Sequence, residues 1–189
     1  NRTNRNGLWH GDFFSWIKGT LHRNSLRRSG RVLKMSSGNR SSAQWTFFDA
    51  VLKEITFPPV STTTRDTGYF KVVMQPARIS YSNTPEKVNL GVYGGWLTKP
   101  LRLDAFRIAI EGLESECSRV SKIDSFTIRQ KLAKFYTGAE LPTDVELTGI
   151  AYPDFKLTLP EQFAKGFRAW LQSGLDRNRK QERQGSLSL

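Results

Sequence analysis

Residues 43–55, AQWTFFDAVLKEI, place Trp45, Phe48, Leu52 and Ile55 at intervals of three or four. That spacing puts four apolar side chains on one face of an α-helix. Ser41 or Ser42, just ahead, supplies an N-cap oxygen for the first-turn N–H groups. The stretch therefore predicts an amphipathic helix opening a folded body, ended by Pro58-Pro59. After a polar loop, Gly68–Gln75 (GYFKVVMQ) and Ala77–Ser82 (ARISYS) are rich in β-branched and aromatic residues and read as strands. Pro76, which cannot donate to a ladder, breaks them apart. Val88–Leu97 (VNLGVYGGWL) predicts a further strand, with Gly94-Gly95 as a turn.

Downstream, Phe106, Ile110, Leu113, Cys117 and Val120 repeat at helical spacing behind Asp104, a good N-cap, and predict a helix over 104–121. Glu111, Glu114 and Glu116 are its solvated positions. Ser125 caps a second expected helix, Phe126–Tyr136, ending at Gly138. It sets Ile128, Leu132 and Phe135 against Arg129, Lys131 and Lys134. Val145–Tyr152 and Phe155–Leu159 read as strands around Pro153. Pro160 sits at the first position of a last helix, Glu161–Gln172, expected to bury Phe163, Phe167, Trp170 and Leu171 and to stop at Gly174. Strands grouped apart from helices indicate an α+β fold, a mostly antiparallel sheet packed with three to four helices. The expected organisation is a basic aromatic arm and linker over 1–41, a single α+β globular domain over 42–174, and a basic disordered tail over 175–189.

Charge is concentrated at the ends. The chain of 189 residues has a formal net charge of +12. Residues 1–40 contribute nine cations, Arg2, Arg5, Lys18, Arg23, Arg27, Arg28, Arg31, Lys34 and Arg40, against Asp12 alone. Residues 41–160 are nearly balanced, with 14 basic and 13 acidic groups. A weaker second basic patch is Arg177, Arg179, Lys180 and Arg183. Within the arm, residues 8–21 carry Trp9, Phe13, Trp16 and Ile17 at helical spacing, although Gly11 and Gly19 each cost a helix roughly 1 kcal/mol. Residues 22–43 are polar, basic and rich in Ser, Gly and Asn, the composition of a flexible linker. Cations interleaved with Trp9, Phe13, Phe14 and Trp16 suit an anionic surface. The aromatics stack on unpaired bases or insert at a bilayer interface; the sequence leaves both open.

No catalytic pattern competes with the arm, and the protein is expected not to be an enzyme. His10 and His22 both precede the body, so none lies within it to act as a base or metal ligand. Cys117, the only cysteine, falls on an apolar helix face and reads as a buried core thiol. One cysteine with two such distant histidines gives no zinc spacing, and no phosphate-loop, dinucleotide or nucleophile-elbow motif occurs. No cofactor, metal or small-molecule substrate is expected. A lone cysteine favours a reducing, intracellular compartment. No apolar run is long enough to span a bilayer, and the basic N-terminal stretch lacks the apolar core of a signal peptide. Tyr69, Phe70, Tyr81, Tyr93 and Trp96 lie on expected strands, and without an RNP-type run they read as core.

Four features are similar to the matrix proteins of negative-strand RNA viruses, the rhabdovirus type in particular. They are the basic N-terminal arm, the internal Met35 heading MSSGNRSS, the stretch YFKVVMQPARISYS (69–82) and LTLPEQFAKGF (157–167). That family commonly carries PPxY or PTAP budding motifs near its N-terminus; this chain has Phe57-Pro58-Pro59-Val60, without the tyrosine. The resemblance implies a non-enzymatic, self-associating virion protein that bridges membrane and nucleocapsid. The expected function is thus a structural assembly protein binding an anionic surface, the inner face of a membrane or a ribonucleoprotein. The alternative is a dedicated RNA- or DNA-binding protein, such as a nucleocapsid, silencing suppressor or ribosome-associated factor.

Overall fold

A computed structural model describes residues 12–22, 26–36, 40–87, 101–135, 144–176 and 182–189. In chain order the first elements are helix α1 (Asp12–Leu21) and strands β1 (Arg28–Ser36), β2 (Arg40–Phe57), β3 (Val60–Ser61), β4 (Thr67–Gly68), β5 (Lys71–Gln75), β6 (Arg78–Ser82), β7 (Glu86–Lys87), β8 (Leu101–Arg102) and β9 (Arg107–Ile110). Helix α2 (Glu114–Cys117), β10 (Lys122–Ile123), β11 (Phe126–Phe135), β12 (Asp144–Ala151) and β13 (Leu157–Thr158) follow. A 3₁₀ turn over Glu161–Phe163, helix α3 (Lys165–Leu175) and β14 (Gly185–Ser188) complete the order. The architecture is broadly α+β and mostly antiparallel sheet, with three α-helices among the described residues.

The described residues divide between two compact units. One draws on Asn1–Ile55, Val72–Lys99 and Ile128–Tyr152, the other on Thr56–Lys71, Pro100–Thr127 and Pro153–Leu189.

The first unit is built on a seven-stranded sheet in the order β1-β2-β11-β12, with β5, β6 and β7 also pairing β2. The helix expected over residues 43–55 is therefore corrected: the segment lies within the 18-residue strand β2. The reason is a bulge. Arg28 opposes Ala50 while Gly30 opposes Phe47, so β2 carries one extra residue. Asp49 absorbs it at φ 51°, in the left-handed region that Asp tolerates better than most, and its N–H donates to Ser29 Oγ at 3.0 Å. Ser41 and Ala43 are buried before the bulge, and Ala50, Val51, Leu52 and Ile55 after it. The interrupted alternation of period two mimics a helical spacing.

Other expectations are corrected for related reasons. Residues 28–36, expected in a flexible linker, form β1 and pair along β2. The helix over 126–136 is strand β11, in which Arg129 and Lys131 are exposed and Ile128 and Leu132 turn the other way. Its alternation was hidden by Gln130, a polar residue at a half-buried position. The helix over 104–121 is two shorter elements. Phe106, just before β9, alternates with Ile108 and Ile110 on it, then buried Leu113, Cys117 and Val120 lie before, within and after α2. Gly112, at φ +70°, makes the change of direction. Asp104 takes two hydrogen bonds from Arg102, at 3.0 and 2.6 Å, and caps no helix. Within the expected disordered tail, β14 pairs with β9 from Gly185↔Ile110 to Ser188↔Arg107. The expected strand over Val88–Leu97 and the stop at Gly138 lie outside the described residues.

The core of the second unit is Val60, Leu103, Val120 and Ile123, with Phe106, Ile108, Leu157, Leu159, Leu187 and Leu189 packed against them. Beside it Phe57 stacks on Phe126 at 4.6 Å between centroids, and Phe70 meets Phe57 edge-on at 5.1 Å. Each such pair contributes about 0.5–1.5 kcal/mol beyond its burial. The last helix runs through Gly174 to Leu175 and buries no residue fully; Leu171, expected inside, is exposed.

Candidate functional site

Three neighbouring strands of the first unit, β1, β2 and β6, bring together an apolar surface and a set of cations. Residues directly opposite across a strand pair share a face. One row is therefore Val32–Trp45–Tyr81 and the next Gly30–Phe47–Ile79. A folded domain normally turns such side chains inward. Here Val32 is 56% exposed, Trp45 40%, Ile79 60% and Tyr81 60%. The Trp45 and Tyr81 rings lie 5.4 Å apart, tilted by 51°. Phe47 lies over Gly30 so closely that a Cβ there would stand 2.6 Å from its Cζ. Contiguous apolar exposure of this kind marks an interaction surface more often than scattered single residues do.

The cations stand around this surface. Lys34, two residues from Val32 and opposite Ala43, continues the same face. Arg28 and Arg40 are exposed at the starts of β1 and β2. Arg40 directly opposes Lys87, also exposed. Like charges across a strand pair repel, and an anion between them relieves the repulsion. Arg28, Lys34 and Arg40 form no ion pair among the described residues. Arg31 differs, since its Nη1 meets Glu86 Oε2 at 3.3 Å. Ser41 Oγ positions that glutamate by accepting its backbone N–H at 3.2 Å.

The remaining residues singled out from sequence divide by their surroundings. Trp16 is 4% exposed and its Nε1 donates to the Leu26 carbonyl at 2.6 Å. It therefore anchors α1 and is corrected as a free inserting or stacking ring. Arg27 Nη2 donates to the Val145 carbonyl at 2.8 Å, a structural tie to β12. Lys18 is exposed in the last turn of α1. Phe13 and Phe14 lie on α1. Arg183 donates to the Glu111 carbonyl at 2.7 Å beside β14 and is corrected as part of a free basic tail. Arg2, Arg5, Trp9, Arg23, Arg177, Arg179 and Lys180 lie outside the described residues, as do Tyr93 and Trp96.

Sequence reasoning missed Trp45 and Tyr81, which it had turned into a helix face and a core. The usable signal was Val32-Leu33, an apolar pair containing a β-branched residue and flanked by Arg31 and Lys34, which suits an edge strand with charged neighbours better than a linker. Among the described residues, no three His, Cys, Asp or Glu side chains gather as metal ligands would, and no helix is long and apolar enough to cross a membrane. No family model, curated protein or solved structure matches the chain.

Proposed function

We propose that the protein is a non-enzymatic assembly component of matrix type that binds an anionic surface through the β1–β2–β6 face. The observation that carries this reading is the exposed Val32–Trp45–Tyr81 and Ile79 surface beside Arg28, Lys34 and Arg40, which have no ion pair among the described residues. A lipid headgroup layer suits both halves of it. Phosphates take the cations, and the apolar side chains enter the acyl boundary. The face is formed by paired strands, so little ordering entropy opposes binding.

A ribonucleoprotein is the second reading, and the Trp45–Tyr81 pair favours it, because two tilted rings beside cations also accept splayed bases. Paired titrations at physiological salt separate the two. Sedimentation with phosphatidylserine vesicles that survives moderate salt, and falls in Trp45→Ala, supports the membrane. Filter binding to short RNA with a steep salt slope and no vesicle retention moves the reading to nucleic acid. Wild-type protein that binds neither overturns the proposal.

A further inference from the structure

Within the second unit, β9, β14, α3 and the segment before β13 enclose a groove of about 290 Å³. Its walls include Ile108, Ile110, Phe155, Leu157 and Trp170, and Arg183 is the one charged side chain lining it among the described residues. The guanidinium is fixed in place. Its Nη1 donates to the Glu111 carbonyl at 2.7 Å. Gly112 admits it, since a Cβ there would stand 2.6 Å from Nη1. Its Cζ lies 5.6 Å from the Trp170 ring centroid, within cation–π range. Yet its Nε is shut off from solvent and has no acceptor among the described residues.

A buried donor without an acceptor is a rare and costly feature. A small inorganic anion would supply an acceptor and leave the apolar walls bare. A hydrocarbon would cover the walls and leave the guanidinium, which has no ion pair among the described residues, without a counter-charge. A carboxylate on an alkyl chain does both, since a guanidinium donates charge-assisted N–H bonds to it. The volume falls just under the range of drug-sized ligand pockets, roughly 300 to 1,000 Å³, and so suits a short chain.

We propose that this groove binds a short- to medium-chain fatty acid, its carboxylate paired with Arg183 and its chain laid along Ile108, Ile110, Phe155 and Leu157. The site lies in a different unit from the β1–β2–β6 face, and the inference stands without the anionic-surface reading. The test is calorimetric titration of the full chain with octanoate and with octanol, on wild type, Arg183→Gln and Ser186→Phe. Octanoate is expected to bind wild type more tightly than octanol. Arg183→Gln should weaken octanoate by about 10-fold or more, the effect of losing a charge-assisted pair, and leave octanol unchanged. Ser186→Phe, which narrows the groove from its exposed wall, should weaken both. If Arg183→Gln does not fold, the wild-type ratio and Ser186→Phe decide. Octanol binding as tightly as octanoate, octanoate unaffected by either substitution, or no octanoate binding at all overturns the proposal.

Discussion

Replacing Arg28, Lys34 and Arg40 together by Gln tests the binding face without touching its packing. All three are exposed and have no ion pair among the described residues, so their removal leaves no carboxylate orphaned. Arg31 is left in place because Glu86 at 3.3 Å already offsets its charge. Arg27 is left because it ties to the Val145 carbonyl. Each cation near an anionic leaflet contributes about 1 kcal/mol at physiological ionic strength. Three amount to about 3 kcal/mol, on the order of a 100-fold loss in partitioning to phosphatidylserine vesicles. The same triple variant should lower the log–log salt slope for short single-stranded RNA by about 2, at roughly 0.7 per phosphate contact. Co-sedimentation and filter binding at several salt concentrations read both, with circular dichroism confirming an unchanged fold. A triple variant that binds vesicles and RNA as tightly as wild type would refute the electrostatic reasoning.

Tyr81→Ala removes an exposed ring paired with Trp45 at 5.4 Å, so it should cost about 0.5–1.5 kcal/mol in urea melts while also weakening surface binding. Gly30→Ala drives a Cβ into the Phe47 ring 2.6 Å away and should cost about 1–3 kcal/mol, much of it recovered when Phe47→Leu is added. Ile123→Ala, at 1% exposure in the second core, should cost about 2–5 kcal/mol by the same melts. Acid should also destabilise the fold. The Lys122 ammonium holds Asp124 below its usual pKa, and the backbone N–H groups of Glu114 and Gly112 do the same for Glu114. A carboxylate whose folded pKa is depressed contributes stability above its unfolded value, and that contribution disappears as pH falls through the folded value. The melting temperature should therefore decline as pH drops below the ordinary carboxylate range, about 4; a flat or rising trend would contradict this.

The parts of the fold legible in the sequence are those with an unbroken period. Strands β5, β6 and β12 and most of helix α3 were legible, since Val72-Val73 is a short β-branched run, Ile79-Ser80-Tyr81 alternates, and Phe167, Trp170 and Leu171 keep a helical spacing. The buried thiol of Cys117 was legible too. What failed was any segment where two periods run together. The bulge at Asp49 shifts the parity of β2, and the turn at Gly112 joins a strand alternation to a helical one. Each yields apolar residues three or four apart without a helix. The candidate face depended on the first of these. Once β2 was taken for a helix, Trp45 had to point into a core, and Val32 and Tyr81 lost the strand that sets them beside it. The cations of β1 were legible as a group because charge needs no register; only pairing showed that Arg31 has Glu86 for a partner.

The most direct test of the β1–β2–β6 face as the binding surface is backbone amide chemical-shift mapping of the full chain titrated with anionic lipid nanodiscs and, separately, with short RNA. The account predicts that perturbations concentrate at Val32, Lys34, Trp45, Ile79 and Tyr81 and fade across β12. Perturbations confined to the second unit, or none with either ligand, would contradict it.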